Sequence, residues 1–252
     1  MPFTISHAAA ILPFHKKPFV LSALIFGSFS PDFSYFLPFG PNGNYTHTIS
    51  GLFLFCLPVS LLFLLVFHYF VKHPLISLFP RELQINLKSI PDIRFYPISD
   101  FILILVSILT GAFTHLIWDS FTHETGPAVL YFHFLSQPVF IFAGETIPIY
   151  KLLQYLSSAL GGLALLIYIS RKVSQTNTRG LLISYFKDRG HQWVLFAIVI
   201  SSVTGLLYGW RWYNAMGFKS FVVKSVIGTM SSLVVFLLIY SLIWNIRSYK
   251  NR

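Results

Sequence analysis

The feature that most constrains this chain is the absence of charge over long intervals. Between Asp32 and Lys72 there are 39 residues without an Asp, Glu, Lys or Arg; between Lys151 and Arg171 there are 19, between Arg189 and Arg211 there are 21, and between Lys224 and Arg247 there are 22. A helix that crosses a bilayer needs about 20 predominantly apolar residues. Five spanning helices are therefore expected, at about residues 49–71, 101–121, 152–170, 193–210 and 222–244. The second is a special case, because the interval from Asp100 to Asp119 holds only 18 residues and reaches spanning length only if Asp119 is part of the helix. Composition agrees: 10% of residues are charged and 55% hydrophobic, against about 25% charged in soluble globular chains. A disordered chain, an acidic solvating protein and an ordinary cytosolic enzyme are excluded.

The first 30 residues follow a different pattern. Residues 5–12 and 19–29 are apolar but short, separated by Pro13, His15, Lys16, Lys17 and Pro18. At 1.5 Å per residue neither piece can cross a core of about 30 Å. They are expected to form a helical hairpin, re-entrant or surface-lying, whose outer ends return to each other. The expected fold is thus an all-α polytopic membrane helix bundle, five spanning helices plus this hairpin. It forms a single integral membrane domain over residues 1–252, with a metal-site half at 1–126 and additional spans within 150–246.

Loop charge predicts the orientation. Lys72, Arg81, Lys88 and Arg94 follow the first span; Arg171, Lys172, Arg179, Lys187 and Arg189 follow the third; Arg247, Lys250 and Arg252 end the chain. All fall on one side, which the positive-inside rule makes cytoplasmic. Residues 30–48 and 122–150 lie opposite and contain no Lys or Arg. The net charge of +10 then reports cytoplasmic loops facing anionic lipid. With no basic patch interleaved with aromatics, nucleic acid is not an expected partner; membrane lipids are. Cys56 is the single cysteine, so neither an internal disulfide nor a cysteine-based metal site can form.

Asp119 is the residue that cannot be membrane filler. An ionisable group at that depth costs about 2.5–3.5 kcal/mol on insertion scales and calls for a partner. His115, Asp119 and His123 recur every four residues in "THLIWDSFTH", so they share one face if the helix continues that far. Imidazole nitrogens with a carboxylate oxygen suit Zn²⁺ or a similar divalent ion. His7, Asp32 and His47 arrive on the same basic-poor side, His47 with Thr46 or Thr48 as a helix cap. The remaining histidines, His15, His68, His73, His133 and His191, read as packing or interfacial residues. His133 and Glu145 are weaker candidates for substrate contact, and Glu124 could serve as a base.

The order "MPFTISHAAA", "GSFSPD", "HTISG" and "GAFTHLIWDSFTH" resembles an uncharacterised membrane-protein family, domain of unknown function 4184 (DUF4184), over roughly residues 1–126. That family is similar in motif order to membrane-bound metal-dependent hydrolases, and more distantly to the zinc-dependent phospholipase C and single-strand nuclease superfamily. Asn42 and Asn44 stand where the membrane hydrolases often carry a second His, and Phe33-Ser34 where a second acid is usual. The resemblance implies a helical site with His7, Asp32, His47, His115 and Asp119 as metal ligands, one or two ions with zinc foremost, and hydrolysis of a phosphoester-type bond.

The expected function is a membrane-embedded metal-dependent hydrolase acting on a lipid or lipid-linked substrate at the non-cytoplasmic interface. His123 would be a further ligand or proton donor and Glu124 a base. The alternatives are an ion, proton or solute transporter built on an intramembrane His/Asp relay, and a structural membrane protein with a metal staple. The expected location is a bacterial-type inner or plasma membrane, C-terminus cytoplasmic and site outside.

Overall fold

The computed structural model describes residues 4–15, 18–37, 40–80, 83–84, 87, 92–142, 145–174 and 190–250. The connection residues Lys16 and Lys17 and the loop charges Arg81, Lys88, Arg179, Lys187, Arg189 and Arg252 lie outside them, as do the side chains of Glu145, His191 and Lys219. Among the described residues five helical segments are long and apolar enough to cross a bilayer: Ile49–Ser77, Ile98–Tyr131, Ile149–Val173, Gln192–Tyr213 and Ser220–Lys250. Each contains one of the expected spans, and the chain is an integral membrane protein of all-α class.

The residues group into two compact units, Met1–Leu64 with Arg94–Arg171, and Leu65–Ile93 with Lys172–Arg252. In the first, a 3-10 helix Thr4–Phe14 precedes helix α1, Leu21–Phe29, and a second 3-10 helix, Ser30–Tyr35. The helix α2, Gly43–Thr46, leads into the first span. Thr48 caps that span, its hydroxyl accepting from the Gly51 amide at 3.0 Å. Two π turns, Leu52–Cys56 and Phe67–Val71, interrupt the span just before Pro58 and Pro74. A proline ring cannot donate to the carbonyl four residues back and pushes it aside, so a widened turn there relieves the clash.

The most extensive packing in this unit joins α1 to helix α3, Ile98–Thr122. Glycine makes the approach possible at both faces. A Cβ on Gly27 would strike the Ile108 carbonyl, and one on Gly111 would strike the Leu24 carbonyl. Leu24, Ile104, Ile108 and Ala112 fill the seam and are essentially inaccessible. Ser107 spans it as well, its hydroxyl accepting from the Val20 amide at 2.9 Å at the start of α1. These contacts hold the N-terminal hairpin against α3, which lets its two outer ends meet.

Two expectations change. Helix α3 stops at Thr122, where the Thr122 hydroxyl turns back to the Trp118 carbonyl at 3.0 Å. His123 is its extended C-cap, not a further helical position, because Gly126 and Pro127 open a new short helix α4, Pro127–Tyr131. The stretch expected to be an outer loop contains an antiparallel hairpin, β1 Pro138–Phe142 and β2 Glu145–Pro148. It leads into helix α5, Ile149–Ser174.

In the second unit the last two spans follow each other closely within the run α6, Gly190–Lys250, and meet at a kink at Gly217, whose φ of 76° and ψ of −176° are non-helical. A residue with a Cβ rarely adopts that φ. Gly205 and Gly209 face Thr229 and Ser225 across this break, and Thr204 donates to Ser232 at 2.9 Å. Lys72, at the end of the first span, is buried and donates to Asp92 at 2.8 Å. That hydrogen bond holds the Asp92 carboxyl below the usual carboxylate range, against a smaller opposing effect of burial.

Candidate metal centre

Four stretches of the first unit bring histidine and aspartate together. His7 comes from the first 3-10 helix, Asp32 from the second, His47 from the C-cap of α2, and His115 and Asp119 from successive turns of α3. Their donor atoms form two groups, His7–Asp32–His115 and His47–His115–Asp119, each with all ligand atoms within 4.8 Å of one another. His115 belongs to both. All five residues expected as ligands are therefore gathered, and the two carboxylates share one pocket of histidines.

Asp119 is the hub. Its Oδ2 lies 3.2 Å from His47 Nε2 and 3.3 Å from His115 Nε2, and its Oδ1 lies 3.5 Å from His7 Nε2 and 3.3 Å from His123 Nδ1. Asp32 Oδ1 is 3.7 Å from His47 Nε2 and 3.9 Å from His115 Nε2. Two ligands about 2.0–2.1 Å from a tetrahedral Zn²⁺ stand about 3.3 Å apart, so the separations around Asp119 Oδ2 match an edge of such a site.

The outer contacts fix which nitrogen faces inward. His115 Nδ1 lies 2.7 Å from the Ser28 carbonyl and His47 Nδ1 lies 2.7 Å from the Gly43 carbonyl. A carbonyl only accepts, so each Nδ1 carries a proton, and in the neutral ring each Nε2 presents a lone pair to the centre. This is the arrangement in which metal-ligating histidines are held. The Thr4 hydroxyl similarly donates to Asp32 Oδ2 at 2.7 Å. His7 stacks on His115 with ring centroids 4.0 Å apart. Burial, reinforced by His115, pushes its imidazole down to about 3 against the opposing pull of Asp119. Gly161 on α5 lets the 3-10 helix approach, since a Cβ there would lie 2.9 Å from the Ser6 carbonyl.

The donor set fits a cation. His7 Nδ1, His115 Nε2 and Asp119 Oδ1 are buried without a hydrogen-bond partner. Asp32 is 2% exposed and His115 is fully buried, yet among the described residues no Lys or Arg pairs with either carboxylate. Two buried carboxylates close together with no Lys or Arg beside them are costly, and a divalent ion would offset that cost.

A family model described as domain of unknown function (DUF4184) matches residues 1–242 of the chain. The chain belongs to that family. No curated protein and no solved structure matches it. The match extends well beyond the N-terminal motifs and takes in most of the last helical run of this DUF4184 chain.

Other candidates fall outside the two groups. His123 sits at the rim, its side chain 30% exposed, between Asp119 and the Gln154 amide, which donates to its Nε2 at 3.1 Å. Gln154, on α5, is a partner that sequence reasoning missed; its only signal was a lone amide in an apolar span. Glu124 and His133 are exposed and belong to neither group. His15 contacts the Leu12 carbonyl and packs edge-on to Tyr168, whereas His68 is buried beside Asp92 at 3.9 Å.

Thr4→Val tests the outer contacts. It removes the hydrogen bond to Asp32 while keeping the shape, and is expected to weaken metal affinity by about 10–100-fold, read by competition against a chromogenic chelator. Unchanged affinity would mean that the Thr4 contact does not orient a ligand.

Proposed function

We propose that this protein is a membrane-embedded metal-dependent hydrolase whose centre takes one or two divalent ions, zinc foremost. Its substrate is a phosphoester-type bond in a lipid or lipid-linked molecule. The observation that carries the reading is the gathering of two buried carboxylates, Asp32 and Asp119, with the imidazoles of His7, His47 and His115 in two groups of potential ligands. His7, Asp32, His47, His115 and Asp119 would hold the metal. When bound, such an ion supplies Lewis acidity and brings the pKa of water toward about 7.

The chain's own residues account for the rest. His115 and His47 are kept in one tautomer by backbone carbonyls, so the site is preorganised as a set of acceptors. His123 bears its proton on Nδ1, towards Asp119, and accepts from Gln154 on Nε2. As the most exposed imidazole of the set, it can take up a proton and pass it to a leaving group, with Glu124 a second candidate for proton transfer. The basic-poor stretches 30–48 and 122–150 support a non-cytoplasmic location. A headgroup phosphate at that depth could meet the cluster while its chains stay in the bilayer.

The test is turnover by protein in lipid vesicles, with a phosphodiester-headed lipid and a lipid pyrophosphate as substrates. Chelation is expected to abolish release of the headgroup and added Zn²⁺ to restore it. Metal bound without turnover would leave a structural staple, and ion flux without turnover a transporter; either result rejects the hydrolase.

A further inference from the structure

The excursion between α3 and α5 is apolar on two sides. Between Glu124 and Lys151 the sequence has one charged residue, Glu145. Its inner side is packed: Val129, Leu135 and Ile147 are buried. Its outer side is not. Tyr131, Phe132, Phe134, Val139, Phe140 and Ile141 are all exposed, Ile141 by 73%. Three of them are consecutive in β1, so apolar side chains leave both faces of the hairpin.

The excursion is anchored where it stands. The Gly126 amide donates to the His123 carbonyl at 2.8 Å, the Ala128 amide to the Ser120 hydroxyl at 3.3 Å, and the Ile149 amide to the Gln137 carbonyl at 3.0 Å. Its two ends continue into helices that are both able to cross a bilayer, so it leaves and re-enters at one membrane surface.

Two requirements then limit its surroundings. Among the described residues no third strand pairs with either edge of the hairpin, and unpaired edge amides and carbonyls cannot be left in hydrocarbon. An isolated two-stranded ribbon with apolar residues on both faces is also poorly suited to bulk water. Only the boundary between headgroups and acyl chains offers water to the edges and apolar contact to the faces. The aromatic content suits that zone, where aromatic belts collect.

We propose that residues 130–142 form an interfacial shelf, immersed in the headgroup–acyl boundary of the lipid bilayer beside the His/Asp cluster. The shelf lies directly beyond His123 and holds that end of α3 at a fixed depth in the membrane. It stands whether or not the cluster hydrolyses anything.

Nitroxide labels at Phe134→Cys and Ile141→Cys, with Phe140→Cys as a third position, test it in phosphatidylcholine–phosphatidylglycerol vesicles. Cys56, wholly buried, stays in place, and wild-type protein measures its background labelling. Collision with dissolved oxygen is expected to exceed collision with a water-soluble nickel chelate at these sites, with the ratio inverted when the same proteins are unfolded in urea. Greater access to the chelate in the folded protein would place the shelf in water. Access to neither would mean that protein covers it, such as a second copy of the chain. Either outcome overturns the proposal.

Discussion

Replacing Asp119 by asparagine is expected to strip the protein of its divalent metal, lowering affinity by more than about 100-fold. Loss of an outer contact to a ligand typically costs 10–100-fold, and Asp119 is closer to the centre than any outer contact. Its two oxygens lie within 3.5 Å of four imidazoles. Asparagine preserves the shape but removes the charge and turns one acceptor into a donor, which then points at a nitrogen lone pair. Metal content of purified protein, measured by elemental mass spectrometry, reads the effect. The variant should fold, because removing a buried negative charge also removes its desolvation cost. Metal retained at the wild-type level would show that Asp119 does not belong to the centre.

Gly27→Val is expected to have the second largest effect, through packing. At Gly27 a Cβ would overlap the Ile108 carbonyl, a backbone atom that cannot swing aside as a side chain can. Overpacking a core typically costs 1–3 kcal/mol, and two added branches against a helix backbone should reach at least the upper part of that range. The consequence reaches the site. If α1 is pushed from α3, then Ser28, whose carbonyl holds His115, and Asp32, which follows in the next turns, are displaced together. Both lower thermal stability in detergent and weaker metal binding are expected. A variant with wild-type melting and wild-type metal content would mean that the close α1–α3 approach does not position the centre.

Much of this arrangement was legible in the sequence, for identifiable reasons. The spans are marked by missing charge, which hydrocarbon enforces directly. His115 and Asp119 are four residues apart on a helix, so their proximity is a local property. The meeting of His7 with Asp32 was also readable, because two apolar pieces too short to cross must return. His123 shows where such reasoning ends: the four-residue spacing predicted another helical turn, but the helix stops at Thr122 and the side chain reaches Asp119 from an extended C-cap. The carbonyls of Ser28 and Gly43 that orient the imidazoles have no residue type to give them away. Thr4 and Gln154 are ordinary residues whose role depends on packing between distant segments. The β hairpin was missed because its strands are short and its apolar residues do not alternate cleanly.

X-ray absorption at the zinc edge, on protein purified in lipid with Zn²⁺ supplied, tests the central claim most directly. The account predicts one or two ions per chain in a nitrogen and oxygen shell at about 2.0–2.1 Å, with a multiple-scattering signature of several imidazoles that weakens in His115→Ala. Absence of bound zinc, or a shell without imidazole, would contradict it.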